Sequence, residues 1–335
     1  MLPPNPKRDV AGRPGPPLAV QPEVAAALAD GGPVVALETA VVSHGLPWPD
    51  NLETARHLEQ VVRGCGAVPA TVGLAAGRVH IGLDPDQLQR FAESHAVAKV
   101  SRRDFGPVLA GGGLGATTVA GSLICARSAG IRLLATGGIG GVHRGGQDSL
   151  DISADLTELS RSPVATVCAG AKGILDLART LEVLETLGVP VVGYTSPRFP
   201  AFWCRDSGLA LEHQVDSPRA AAAVLRHHWA LGLRSGLVLA VPPPAAAALA
   251  PEDIEQPLHQ ALAEAERRGI AGKALTPFLL GWLNERSAGA CLAANRALLE
   301  RNARLAAEVA VALAAEALAV EARDAATDGS SDRPP

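Results

Sequence analysis

A three-layer α/β/α sandwich around a mixed, mostly parallel central sheet is the fold class that this sequence predicts, and three observations predict it. Short continuous apolar runs, among them Val34–Leu37, Leu133–Thr136, Val164–Cys168, Val189–Tyr194 and Gly236–Val241, have the length of strands buried on both faces. Longer stretches with apolar residues at helical spacing lie between them, and such alternation is the α/β pattern. Several of the runs empty directly into glycine and then something polar, and an open α/β sheet gathers its ligands outside the carboxyl ends of its strands.

Composition bounds the rest. The chain has 335 residues, is 47% hydrophobic, 19% charged and only 3% aromatic, and carries a net charge of −4. That is enough to bury one large core. No linker and no repeat interrupts it, so residues 21–322 are expected to form a single catalytic domain. The proline-rich residues 1–20 and the polar residues 323–335 are expected to be disordered tails. No basic stripe or aromatic platform suggests a nucleic acid, and no apolar run is long enough to cross a membrane. Five cysteines, scattered and never in a CxxC pair, argue for reduced thiols, a cytoplasmic location and no zinc site. The N-terminus lacks the apolar segment of a secretory signal.

In order along the chain, Pro22–Asp30 reads as a helix and Val34–Leu37 as a strand that ends in Glu38-Thr39. A carboxylate at such a strand end is costly unless it faces a polar crevice, so Glu38 is a candidate acid or base; a capping or salt-bridged glutamate is the alternative. Ser43–Pro49 is broken by glycine and proline into a loop, and an amphipathic helix follows over Asn51–Cys65. Two strands, Ala67–Gly73 and Arg78–Leu83, flank a turn, and Asp84 caps a helix that runs to His95. The strand Ala96–Val100 carries Lys99, either a phosphate ligand or part of a solvated edge with Arg102 and Arg103. Gly111–Thr118 resembles a phosphate cradle opening a helix to Ala129, although no GK[ST] follows it. Helices are further expected over Ile174–Leu187, Ser217–Leu231, Pro251–Arg268, Thr276–Arg286 and Leu292–Ala322. The loop Thr195–Gly208 concentrates aromatic residues that either stack on a ring or pack as a lid. In the last helix, Asn295 and Asn302 share a face with Leu298, Leu299 and Leu305; buried amides there need partners, from a ligand or from the backbone.

Residues 133–176 form the organising stretch. After Leu133–Thr136 come Gly137, Gly138, Gly140, Gly141, His143 and Arg144, then an acidic cluster of Asp148, Asp151 and Asp155; after Val164–Cys168 come Gly170, Ala171 and Lys172. Lysine is rare here, at positions 7, 99, 172 and 273 only, so arginine does the ordinary surface work. An amine that must form an imine cannot be replaced by guanidinium, which never deprotonates in proteins. Lys172 therefore reads as a nucleophile or, equally on local sequence, as a residue that caps a turn or holds a phosphate.

Taken together, VALETAVVSHGLPWP, GAVPATVGL, KVSRRD, GATTVA, ATGGIGGVHRGGQDSLDISADL, VCAGAKGILDL, PVVGYTSPRFPAFWCRDSG and GKALTPFLL resemble the pseudouridine-5'-phosphate glycosidase family, the group that includes indigoidine synthase A-like proteins. The resemblance runs from about Val34 to Ala310. It implies cleavage, or formation, of the C–C bond between uracil and ribose 5-phosphate, with Lys172 as nucleophile and Glu38 as proton donor. It implies one Mn²⁺ ion on Asp151, and substrate contacts from Lys99, Val119, Ser153, Ala154 and Asp155, with His143 and Asn295 at the phosphate-bearing sugar. It further implies a homotrimer. Two departures stand out. Thr39 replaces the family's usual serine, and Ala240–Ala248, AVPPPAAAA, lacks an ANP and a following glutamate. The alternatives from other classes are a ribokinase-like sugar kinase, which glycine-rich turns and an aspartate cluster would also suit, and a non-catalytic pigment-pathway accessory.

Overall fold

The computed structural model describes residues 17–270 and 272–328. Its strands are the apolar runs. β1 (Leu18–Val20) precedes helix α1 (Pro22–Ala29), whose first position is a proline that gives up no needed N–H. β2 (Val34–Leu37) is wholly buried and leads through Glu38 into a single π-helical turn, Val41–Gly45, then α2 (Asp50–Gly64). β3 (Val68–Ala75) and β4 (Arg78–Ile81) form a hairpin around Ala76-Gly77. Helix α3 (Pro85–Glu93) starts at a capping box: the Gln87 N–H donates to Asp84 Oδ1 at 2.8 Å, and the Asp84 N–H to Gln87 Oε1 at 3.0 Å.

The middle of the chain supplies β5 (Ala98–Val100), α4 (Phe105–Gly111), β6 (Gly115–Thr117), α5 (Val119–Ala129), β7 (Leu133–Ala135), the short turns α6 (Gly146–Ser149) and α7 (Ala154–Leu159), and β8 (Ala165–Cys168). The last third adds α8 (Leu177–Thr186), β9 (Val191–Tyr194), β10 (His213–Val215), α9 (Pro218–Ala230), β11 (Leu237–Ala240), α10 (Pro251–Arg267), α11 (Leu275–Arg286) and the long α12 (Ala290–Asp328).

The sheet runs β1-β4-β3-β2-β7-β8-β11-β9-β10, with β6 joining β3 to β5. Among the described strands only the β3–β4 and β3–β6 pairings are antiparallel, so the expected mixed, mostly parallel sheet is what forms. Its faces are separated by side-chain alternation. Leu133, Ala165, Val167, Leu237 and Leu239 face α9 and α12, while α5 packs on β2, β3 and β7 from the other side and carries α7 on its back. The parallel block β2, β7, β8 and β11 is buried to the last side chain, which is why its sequence shows no polar alternation.

Several boundaries differ from the sequence reading. Leu18–Val20 is no tail: it pairs in parallel with β4. At the other end, α12 continues past residue 322 to Asp328. Residues 1–16 and 329–335 of the expected tails lie outside the described residues. Gly111–Thr118 does not open a helix as one glycine cradle. Its second half is β6, because Gly115 fits where any Cβ would collide with Val100, Val108 and Leu74; Thr118 then caps α5. Among the described residues no helix is long and apolar enough to cross a membrane.

Candidate active site

β2, β7 and β8 lie side by side and parallel, so the three segments that leave them emerge together. Glu38 follows β2, the Gly137-Gly138 turn follows β7, and Gly170-Ala171-Lys172 follows β8. The turns are tied to each other: Ile139 N–H donates to Gly170 O and Lys172 N–H to Ile139 O, both at 3.0 Å. Gly170 sits at φ +76°, and a Cβ there would strike the carbonyl of Pro200. Gly138 packs so closely on the ring of Phe202 that a Cβ would lie 2.7 Å from it. Behind the turns, the Asn302 amide of α12 donates to Thr136 O at 2.8 Å and to Gly137 O at 3.4 Å. This settles one of the two asparagines: Asn302 bonds backbone.

The resulting cavity encloses about 540 Å³ with its mouth, and Glu38, Lys99, Lys172 and Asn295 line it together. Four residues up to 257 positions apart in sequence thus meet at the strand ends. Glu38 is 8% exposed and accepts a short hydrogen bond from the Thr136 hydroxyl. Burial pushes its carboxyl above the ordinary value, and this outweighs the opposing pull of Lys172, of the Thr136 hydrogen bond and of Lys99. An acid so placed keeps its proton further up the pH scale. His44, on the π turn, lines the same cavity; burial and then Lys99 lower its pKa, which favours the uncharged ring. Thr118, Phe202, Thr276, Pro277 and Leu280 complete the wall. Sequence reasoning passed over His44 and the α11 residues. Their only signals were a histidine six residues beyond Glu38 and a proline in the first turn of a helix.

The other expected residues take a different place. Val119, Ser153, Ala154 and Asp155 lie outside that lining, at the starts of α5 and α7. Asp155 is buried, and its carboxylate is already used: Oδ1 accepts from Ala120 N–H and Oδ2 from Gly140 N–H, each at 2.8 Å. Ser153 caps α7. Gly140 is required at this seam, since a Cβ would collide with Ser153 and lie 2.8 Å from Asp155 Oδ2. Asp155 therefore welds the glycine turn to two helix starts, and its charge opposes that of the Glu38 carboxylate. His143 is half-buried. Burial lowers its pKa, Asp151 pulls it up, and Lys172 and Lys99 push it down, so it feels both the lysine pair and Asp151. Asp151 is half-exposed; the carbonyl of this residue accepts from His143 N–H at 3.0 Å. Among the described residues no three His, Cys, Asp or Glu side chains converge as a metal cage.

The two departures from the family pattern are accounted for in the same way. The buried Thr39 hydroxyl donates to Val72 O at 2.8 Å and accepts from Thr117 N–H at 2.9 Å, which locks the Glu38 turn to β3 and β6. The Pro242–Pro244 stop after β11 lies off the cavity; Arg205 reaches the Pro243 carbonyl there.

Two lysines and a buried acid whose pKa is raised line one cavity at the carboxyl ends of a parallel sheet, which is the composition and the place of an enzyme active site. The model of the family described as indigoidine synthase A like protein matches residues 23–312, and the chain belongs to that family. It is 55% identical to the pseudouridine-5'-phosphate glycosidase of Herpetosiphon aurantiacus over 88% of this chain and 98% of that one. The same-named protein of Methylobacterium nodulans is 54% identical over 90% and 89%. Among solved structures, the prealnumycin C-glycosynthase AlnA in complex with ribulose 5-phosphate superposes with a TM-score of 0.83 at 42% identity, over 90% of this chain and 98% of that one. An indigoidine synthase A-like protein of Thermotoga maritima gives 0.81 at 35% identity, over 89% and 97%.

Proposed function

We propose that this chain is a pseudouridine-5'-phosphate glycosidase that breaks the C–C glycosidic bond through an imine on Lys172. The observation that carries this reading is the convergence of Lys172 with the buried acid Glu38 on one cavity, in a chain more than half identical to enzymes of that name. A C-glycoside presents no leaving oxygen or nitrogen to protonate, so the two-carboxylate route of ordinary glycosidases has nothing to act on. An amine supplies another route. Lys172 adds to C1' as the C1'–O4' bond breaks, and the proton shed by the amine passes to O4'. The nitrogen lone pair then forms the C=N bond while the C1'–C5 pair takes a proton from Glu38 and leaves as uracil. Water releases ribose 5-phosphate from the imine.

In this reading Lys99, Val119, Ser153, Ala154 and Asp155 serve substrate binding, Asp155 by fixing the glycine turn rather than through a free carboxylate, with His143 and Asn295 at the phosphate-bearing sugar. Asp151, half-exposed and with a single carboxylate to offer, suits a hard ion that keeps most of its water, as Mn²⁺ can. When bound, such an ion would supply positive charge for the phosphate. A homotrimer goes with the proposal, and exposed Leu150 and Ile152 beside Asp151 offer apolar surface for a subunit contact. Five free thiols suit the cytoplasm. The test is direct: purified protein with pseudouridine 5'-phosphate and Mn²⁺ releases uracil, read by chromatography. Intact substrate after prolonged incubation would overturn the proposal.

A further inference from the structure

The catalytic cavity does not end at Asn295. A second cavity shares His44, Pro277, Leu280 and Asn295 with it and continues past Trp203 and Asn284. Three polar atoms on this second wall are buried without any hydrogen-bond partner: His44 Nε2, Trp203 Nε1 and Asn284 Oδ1. Eight such side-chain atoms occur among the described residues, so three at one cavity is a concentration. A buried donor or acceptor left unpaired carries its full desolvation penalty, and its persistence at a cavity marks a place where a ligand supplies the partner.

The three come from separate elements that the fold holds still. Trp203 is 2% exposed, stacks edge-on against Phe202 with ring centroids 4.9 Å apart, and its carbonyl is held by Leu249 N–H at 3.0 Å. The neighbouring Phe202 N–H donates to Ala169 O at 3.1 Å, so the indole is indexed to the turn that carries Lys172. Asn284 stands on α11, and His44 on the π turn after Glu38. One atom is a donor only, one an acceptor only, and the neutral imidazole adopts either role with its tautomer. Pro277 and Leu280 supply apolar faces. No lysine or arginine lines this cavity, and Glu285 does, so a second anion is disfavoured.

The geometry points to this second cavity as the compartment for the base, in which Trp203 and Asn284 read the edge of a neutral, planar ring that offers a carbonyl next to an N–H. This rests on the glycosidase reading and adds residues to it. In uracil the ring position opposite the reacting C5 is C2, a carbonyl flanked by N1–H and N3–H. With C5 held at Lys172 and Glu38, that edge enters the second cavity. The indole N–H donates to the C2 carbonyl, and Asn284 Oδ1 accepts from a ring N–H.

The synthetic direction tests it, with ribose 5-phosphate and uracil as substrates. Trp203→Phe, which keeps an aromatic ring but removes the indole N–H, and Asn284→Leu should each raise the KM for uracil at least tenfold. The KM for ribose 5-phosphate and the yield of borohydride-trapped adduct on Lys172 should stay within twofold, and the adduct also reports that each variant is folded. Wild-type enzyme should reject either 1-methyluracil or 3-methyluracil by a similar factor, and Asn284→Leu should lose that discrimination. Unchanged KM for uracil in both variants, with the adduct intact, would overturn the assignment alone. No adduct in the wild type would overturn the glycosidase reading and this compartment with it.

Discussion

Glu38 and Glu158 are both buried glutamates of this chain, yet their surroundings are opposite. Glu158, in the seam between α5 and α7, is fully enclosed and fully partnered: Arg102 Nε lies 2.7 Å from Oε2, and Oε1 accepts from Ser162 Oγ at 2.9 Å with Arg127 at 3.5 Å. Glu38, at the end of β2, has one hydroxyl and no arginine, and burial raises its pKa. The first is an acid whose charge is neutralised by the fold. The second is an acid whose ionisation the fold opposes. Asp155 sides with Glu158, since both its oxygens are spent on backbone N–H groups. A buried carboxylate with both oxygens bonded is holding the structure together, and one left short of partners beside lysines is available for chemistry.

The sharpest test of this division lies beside Glu38. Lys172→Arg keeps the charge and removes the neutral amine, so turnover should fall on the order of 10⁴-fold or more. Intact-mass spectrometry after borohydride treatment with ribose 5-phosphate should show an adduct on the wild type and none on the variant. Partial activity in Lys172→Arg would return Lys172 to a phosphate-holding role.

Glu38→Gln should slow kcat by about 10²–10⁴-fold, the range for a lost proton donor, and should leave the protein folded. Stability supplies a second readout. Because the folded pKa lies above the ordinary 4.5, folded chains hold a proton that unfolded chains release. Stability therefore falls as pH rises through the window from that ordinary value to the raised one. The glutamine variant lacks this loss, so its melting temperature should gain on the wild type across that window. A constant difference at all pH values would show that Glu38 ionises as freely as an exposed glutamate.

Chelation comes next in size. EDTA should abolish turnover and Mn²⁺ restore it, while Asp151→Ala, without the carboxylate, should respond poorly to added metal. Full activity in chelator would remove the ion from the reaction. Smallest in its effect on chemistry is Glu158→Gln. It should cost about 1–3 kcal/mol in urea unfolding, below the figure for a fully buried pair because both arginines reach solvent. Its kcat should change less than twofold; a large kcat loss with little change in stability would erase the contrast with Glu38.

How much of this could be read from the chain depends on where the information sits. β2, β7, β8 and β11 were legible because strands buried on both faces leave uninterrupted apolar runs. Glu38 and Lys172 were legible because polar residues stand where those runs stop. β6 and β10 were not, since Gly-Ala-Thr and His-Gln-Val are no apolar runs and are strands only by their pairing: β6 is held by β3 and β5, β10 by β9. The π turn at Val41–Gly45 read as loop because its proline and glycine neighbours dominate the local signal. Asp155 looked like a ligand-facing acid, and only the positions of Ala120 and Gly140 show that each of its oxygens bonds backbone. Trp203 and Asn284 become meaningful once their missing partners are seen, and a sequence does not display unsatisfied bonds.

The two hydrogen bonds from Asn302 to the carbonyls of Thr136 and Gly137 bear on the life of the chain before it is complete. A ribosome delivers Glu38 early, the Gly137 turn by mid-synthesis and Asn302 only near the end. Until α12 arrives, the turn beside Glu38 lacks its buried amide support, and β2, β7 and β8 have one naked face. Chains stalled before that helix should emerge as inactive, chaperone-bound intermediates, so that catalysis begins only with full-length protein.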